Sequence, residues 1–163
     1  MSGLSEITVD IEDAQRDRYL TFLIDRQAYG LEIRYVTEII GIQTYTEMPE
    51  MPFYIKGIIN LRGNIIPLLD IRLRFGKEQR EYNDRTCVIV INFFDIFIGL
   101  IVDSVSEVLT IPDEDVLELP KTINGSRFLK NIGKSGNNVI LLLDCEKLLT
   151  DTEIQNLGEQ LQG

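Results

Sequence analysis

The chain repeats itself, and that repeat constrains its fold more than any other feature. Set "AYGLEIRYVTEII" (Ala28 to Ile40) against "FIGLIVDSVSEVL" (Phe97 to Leu109). Gly30 falls on Gly99, Leu31 on Leu100, Ile33 on Val102, Val36 on Val105, Glu38 on Glu107 and Ile39 on Val108, an offset of 69 residues. Further on, "YIKGI…NIIPLLDIRLRF" matches "FLKNI…NVILLLDCEKLL" at an offset of 74, with Lys56 on Lys130, Asn64 on Asn138 and Asp70 on Asp144. The two offsets differ by five residues, which places extra loop between Leu109 and Leu129. Two matches in the same order predict a duplicated unit.

Each copy has the same grammar. An apolar strand ("YLTFLID", "CVIVINF"), a turn and a second strand lead into a short amphipathic turn of helix carrying Val-x-Glu-Ile/Val. Gly30 and Gly99 stand inside strands, where glycine marks a bulge or a barrel corner. Asp70 and Asp144 end the last strand of each copy and are placed to cap the helix-like "IRLRF" and "CEKLL". Short strands with frequent turn signals predict two small β-barrels, and units of about 70 residues are expected to share an interface. Ile154, Leu157 and Leu161 recur at helical spacing, so 151–163 is expected to be a helix packed on the barrels. Residues 1–17 are acidic and poor in apolar groups, and are expected to be a mobile tail before a domain at 18–150.

Charge and composition narrow the chemistry. The net charge is −10, with 26 acidic and 16 basic residues, the wrong sign for tracking phosphates, so no nucleic-acid partner is expected. No run approaches the roughly 20 apolar residues of a membrane span, and the N-terminus lacks a signal-peptide core, so a cytoplasmic protein is expected. There is no histidine, which removes His-dependent nucleophilic pairs and the commonest general base. Cys87 and Cys145 sit in apolar surroundings and read as small core residues, and two cysteines without histidine make no plausible zinc site. "GKS" at Gly133–Ser135 lacks the glycine a phosphate loop needs at 128, where Phe128 stands. Asp113-Glu114-Asp115 follows Pro112 and fits a first helical turn better than an acid–base pair. No cofactor, no metal and no catalytic residue are expected.

One residue resists a purely structural account. Arg62 stands between two Ile/Leu-rich runs, "IKGIINL" and "NIIPLLD", at the apex of a predicted hairpin "RGN". It reads either as a solvated turn residue beside a left-handed Gly63, or as a binding hot spot beside apolar surface.

The stretch "FYIKGIINLRGNIIPLLDIRLRFG" resembles the signature of the CheW-like coupling proteins of bacterial chemotaxis, and "YLTFLIDRQAYGLEIRYVTEII" and "RTCVIVINFFDIFIGLIVDSVSEVL" fit the same family. The resemblance covers about residues 18–150. It implies an all-β fold with short helices, made of two pseudo-symmetric five-stranded SH3-like barrels packed side by side. It also implies a non-catalytic scaffold that couples methyl-accepting chemoreceptors to the histidine kinase CheA. The receptor's cytoplasmic tip would meet Val36 and Ile39 on the short helix, Arg62 on the hairpin, and Val105. The kinase's regulatory domain would meet Gly57 and Ile65 at one end, and at the other the loop from Leu117 to Ile123, including Glu118. The isolated chain is expected to be a monomer, recruited in the cell to receptor arrays. Asn131 departs from a frequent glycine and Cys145 from a frequent aliphatic residue, and both are compatible with the fold. A regulatory-domain fragment of a CheA kinase or a CheV-type protein would share these motifs. A small-molecule-binding or hydrolytic β-barrel using the carboxylates is the reading from another class, and it alone predicts turnover.

Overall fold

The computed structural model describes residues 15–93, 95–120 and 127–162. The first copy supplies β1 (Arg18–Ile24), β2 (Gln27–Glu32), β3 (Val36–Gly41), β4 (Ile55–Leu61), β5 (Asn64–Asp70) and the one-turn helix α1 (Ile71–Arg74). The second supplies β6 (Cys87–Phe93), β7 (Ile96–Val102), β8 (Ser104–Thr110), the two-residue β9 (Val116–Leu117), β10 (Leu129–Ser135) and β11 (Asn138–Leu143). A 3₁₀ turn (Cys145–Lys147) and helix α2 (Asp151–Gln162) complete the described chain. Of the segment expected to be a mobile tail, 1–14 lies outside the described residues. Of its last residues, the Asp17 carbonyl accepts the Ile111 amide at 2.7 Å and Arg16 pairs with Asp113 at 3.2 Å.

The two barrels exchange strands. One sheet runs β3-β6-β7-β5-β4, the other β8-β1-β2-β11-β10-β9. Each barrel therefore takes the leading hairpin of one copy and the later strands of the other. The register repeats residue for residue. Gly30 pairs with Thr21 and, in a parallel ladder, with Leu142, while Gly99 pairs with Val90 and Leu68. A Cβ on Gly30 would stand 2.8 Å from Leu142 Cδ2, and one on Gly99 2.8 Å from Leu68 Cδ2. These glycines let the strand from the other copy approach, the close-approach role of an in-strand glycine. Bulges fall at matched places too: Lys56 is skipped between Ile55 and Gly57, and Lys130 between Leu129 and Asn131.

Burial follows from this arrangement. Among the described residues, 22 buried side chains form one cluster drawn from both sheets, against six and three in the two barrel interiors. The shared interface is thus the main core. At about 1.5–3 kcal/mol per fully buried large aliphatic side chain, it dominates stability. Ile66 and Leu68 of β5 point into their barrel while Leu69 joins the shared core. A strand covered on both faces explains the unbroken apolar run "IIPLL".

The helix ends are capped as expected. The Asp70 carboxylate accepts the Leu73 amide at 3.3 Å, and Asp144 accepts Glu146 N at 3.0 Å. After Asp144, however, the chain makes a 3₁₀ turn instead of a helix. α2 opens with a reciprocal capping box, Glu153 N to Thr150 Oγ1 at 3.1 Å and Thr150 N to Glu153 Oε1 at 2.9 Å. Ile154 and Leu157 pack against the shared core as predicted. Arg74, its side chain 8% exposed, locks α2 to the barrels. Its Nε donates to the Leu148 carbonyl at 2.7 Å, its Nη2 reaches Glu153 at 3.1 Å, and its guanidinium lies over the rings of Tyr54 and Phe128.

Candidate partner-docking site

The hairpin apex is a two-residue turn, Arg62 (φ 51°) and Gly63 (φ 88°), between β4 and β5. Two successive left-handed residues match the right-handed twist of the strands, and the Asn60 side chain accepts the Gly63 amide at 2.9 Å. For glycine this is free; for arginine a left-handed backbone costs about 1 kcal/mol. The other described non-glycine residues with positive φ are all acidic: Asp17, Asp25, Glu50 and Asp95. Arg62 extends into solvent, its side chain 69% exposed, and pairs with Glu38 of β3. Such an exposed pair contributes at most about 1 kcal/mol and is released readily.

Val36 and Ile39 are not on a helix. A 3₁₀ turn occupies Ile33–Tyr35, and both residues lie on β3, paired with Ile91 and Ile89 of β6. A bulge at Thr37 adds a residue to β3, so the spacing of three between Val36 and Ile39 imitated a helical turn. Val105 lies on β8, opposite Phe22 of β1. Val36 and Val105 pack against the same shared core from the two sheets. The structure thus joins Arg62 to β3 through Glu38, and relates β3 to β8 through the core. Glu38 and Val108 were not singled out from the sequence. Val108 is 41% exposed and is the repeat partner of Ile39, 43% exposed, so the duplication itself carried that signal.

Of the residues expected to meet the kinase, Ile65, next to the Arg62–Gly63 turn, and Leu117 are exposed apolar residues and Glu118 is exposed, while Ile123 lies outside the described residues. Gly57 is different in kind. It is buried under the β3–β4 connection, and a Cβ there would stand 2.4 Å from the Thr46 carbonyl oxygen.

The remaining polar clusters are architectural. Arg72 donates to Asp25 at 2.6 Å and to Asp103 at 3.0 Å, with Arg80 also within ion-pair range of both carboxylates. The Arg72 hydrogen bond holds the Asp25 carboxyl below its ordinary pKa. Buried Asp70 accepts the Tyr82 hydroxyl at 2.6 Å, and burial together with that bond pushes the phenol well above its ordinary range. Burial likewise raises the Cys145 thiol, and both cysteines are free, Cys145 fully buried. Among the described residues no group of His, Cys, Asp and Glu is placed to hold a metal ion. No helix in the described residues is long and apolar enough to cross a membrane.

Two strand-exchanged SH3-like barrels, one of them tipped by an arginine at a hairpin apex, define the class of paired-barrel β proteins. The chain belongs to the CheW-like family: the CheW-like domain matches residues 18–153. It is similar to the chemotaxis protein CheW of Klebsiella aerogenes, 33% identical over 156 residues and covering 94% of both chains. The CheW of Helicobacter pylori is 32% identical over 133 residues, 81% of each chain. Among solved structures, the scaffolding protein TtCheW from Thermoanaerobacter tengcongensis superposes with a TM-score of 0.76 at 32% identity, covering 81% of this chain and 91% of its own.

Proposed function

We propose that this protein is a non-catalytic, cytoplasmic coupling adaptor of a chemotaxis pathway, linking the cytoplasmic tips of methyl-accepting chemoreceptors to a CheA-type histidine kinase. The receptor tip docks on the surface of Val36, Ile39, Arg62 and Val105. The kinase regulatory domain docks at the barrel ends, on Ile65, with buried Gly57 shaping the surface from beneath, and on Leu117, Glu118 and Ile123. The observation that carries the reading is Arg62. A turn that favours glycine or asparagine holds an extended cation instead, tethered among the described residues by the half-buried carboxylate of Glu38, which lies between Val36 and Ile39 in β3. That arrangement offers a preorganised guanidinium to an incoming helix at little entropic cost.

Arg62→Asn tests it. Asparagine suits the left-handed backbone, so stability should hold or rise by up to about 1 kcal/mol. Binding of a soluble chemoreceptor cytoplasmic fragment should weaken about thirtyfold, the loss of an arginine hot spot worth about 2 kcal/mol, while binding of the kinase regulatory domain is unchanged. Unaltered receptor affinity in a stable variant refutes the assignment.

A further inference from the structure

A cleft of about 470 Å³ opens between the chain leading into β4 and helix α2, and none of its lining residues is assigned above to receptor or kinase. Met51, Pro52, Ile55, Leu149 and Leu157 make its apolar lining. Tyr54 also lines it. That residue is 4% exposed, and its hydroxyl is buried with no hydrogen-bond partner among the described residues. That hydroxyl is closed off from the cleft, so Tyr54 offers an occupant its ring, which extends the apolar lining. Beside Tyr54, in ring contact with it, Phe53 is 73% exposed, the most exposed of the large apolar side chains described. An aromatic so placed extends the apolar surface beyond the cleft mouth.

The charged residues of the lining are all acidic: Glu50, Glu153 and Glu159. Glu153 is engaged by Arg74, whereas Glu50 and Glu159 enter no ion pair among the described residues. The rim is therefore net negative, which selects against two occupants this chain could itself supply. Residues 1–14 of this chain contain Glu6, Asp10, Glu12 and Asp13 and no lysine or arginine. A second copy of a chain with net charge −10 is repelled as well. A small organic cation filling the cleft would leave Phe53 uncovered.

We infer that the cleft and Phe53 together dock a basic amphipathic segment of a partner protein. An apolar side chain enters between Met51 and Leu157, and lysine or arginine lies beside Glu50 and Glu159. This contact is separate from the receptor and kinase surfaces proposed above and does not depend on them.

The test is an amide chemical-shift titration of the full-length labelled chain at physiological salt. The probe is a synthetic 12-residue helix of alternating leucine and lysine faces, with its leucine–glutamate counterpart and benzyltrimethylammonium as comparisons. The leucine–lysine helix should shift residues 50–55 and 149–159. Glu50→Lys combined with Glu159→Lys should weaken it at least about tenfold, and Phe53→Ala about fivefold. Asp84→Lys combined with Glu114→Lys, both exposed and outside the cleft lining, should leave it unchanged. Shifts spread over the acidic surface, equal weakening by both charge reversals, equal binding of the glutamate helix, or the same shifts from benzyltrimethylammonium would each overturn the proposal.

Discussion

Gly57→Ala isolates the closure of the first barrel. The backbone of Thr46 bonds to Ile58 in both directions, Thr46 N to Ile58 O at 2.9 Å and Ile58 N to Thr46 O at 2.8 Å. This bridge ties the β3–β4 connection to β4. A methyl group at Gly57 would stand 2.4 Å from Thr46 O and 2.8 Å from the Tyr45 ring, roughly 1 Å inside ordinary contact. The nearest atom is backbone, so no side-chain rotation relieves it; the connection must move and stretch both bonds. Two weakened hydrogen bonds at roughly 1 kcal/mol each, with some overpacking strain, amount to about 2–4 kcal/mol. That corresponds to a fall in Tm of roughly 5–15 °C for a chain of this size. Urea unfolding followed by far-ultraviolet circular dichroism gives the difference directly. A loss below about 0.5 kcal/mol would refute the steric argument. If kinase binding fell without such a loss, Gly57 would act as contact surface, as the family resemblance implies.

Arg74→Met should cost about 3 kcal/mol, because it leaves the Leu148 carbonyl and Glu153 without their buried partner and loosens α2; hydrogen exchange should then accelerate across 151–162 while the barrel strands stay protected. Alkaline stability follows from the phenols. Tyr82 has a folded pKa raised above its unfolded value of about 10, by burial and by its bond to Asp70, so its contribution is complete below pH 10 and is lost as pH rises beyond it. Urea midpoints should fall above pH 10, and Tyr82→Phe should flatten that fall although it lowers the midpoint at pH 7.

Much of this architecture is legible in the residues. The offsets of 69 and 74 place Gly30 on Gly99 and Lys56 on Lys130, and the structure gives those pairs the same ladder positions and the same bulges. The exchange of strands is not legible. The copies resemble one another strand for strand, so pattern alone does not tell β1 against β8 from β1 against β3. Connection geometry decides between them. Val36 to Ile39 misled because a bulge changes a strand's apparent period from two toward three. The Arg72–Asp25–Asp103 cluster left no signal because its members come from a turn, a helix and a strand junction far apart in the chain. Of the proposed docking surface, Arg62 stood out by charge in an apolar run, whereas Glu38 emerged only when folding set it beside the hairpin.

Because each sheet is built from both copies, neither half of the polypeptide carries a complete barrel. A cut in the segment 77–85 would leave β1 and β2 without β8 and β11, and β6 and β7 without β3 and β5. Each fragment alone would lack the partners for its hydrogen-bond ladders and half of the shared core. Mixed together, the fragments should restore both barrels in one step, as a clasp closes. In the intact chain the same interlock joins the ends: a partner that grips one barrel holds strands of both repeats.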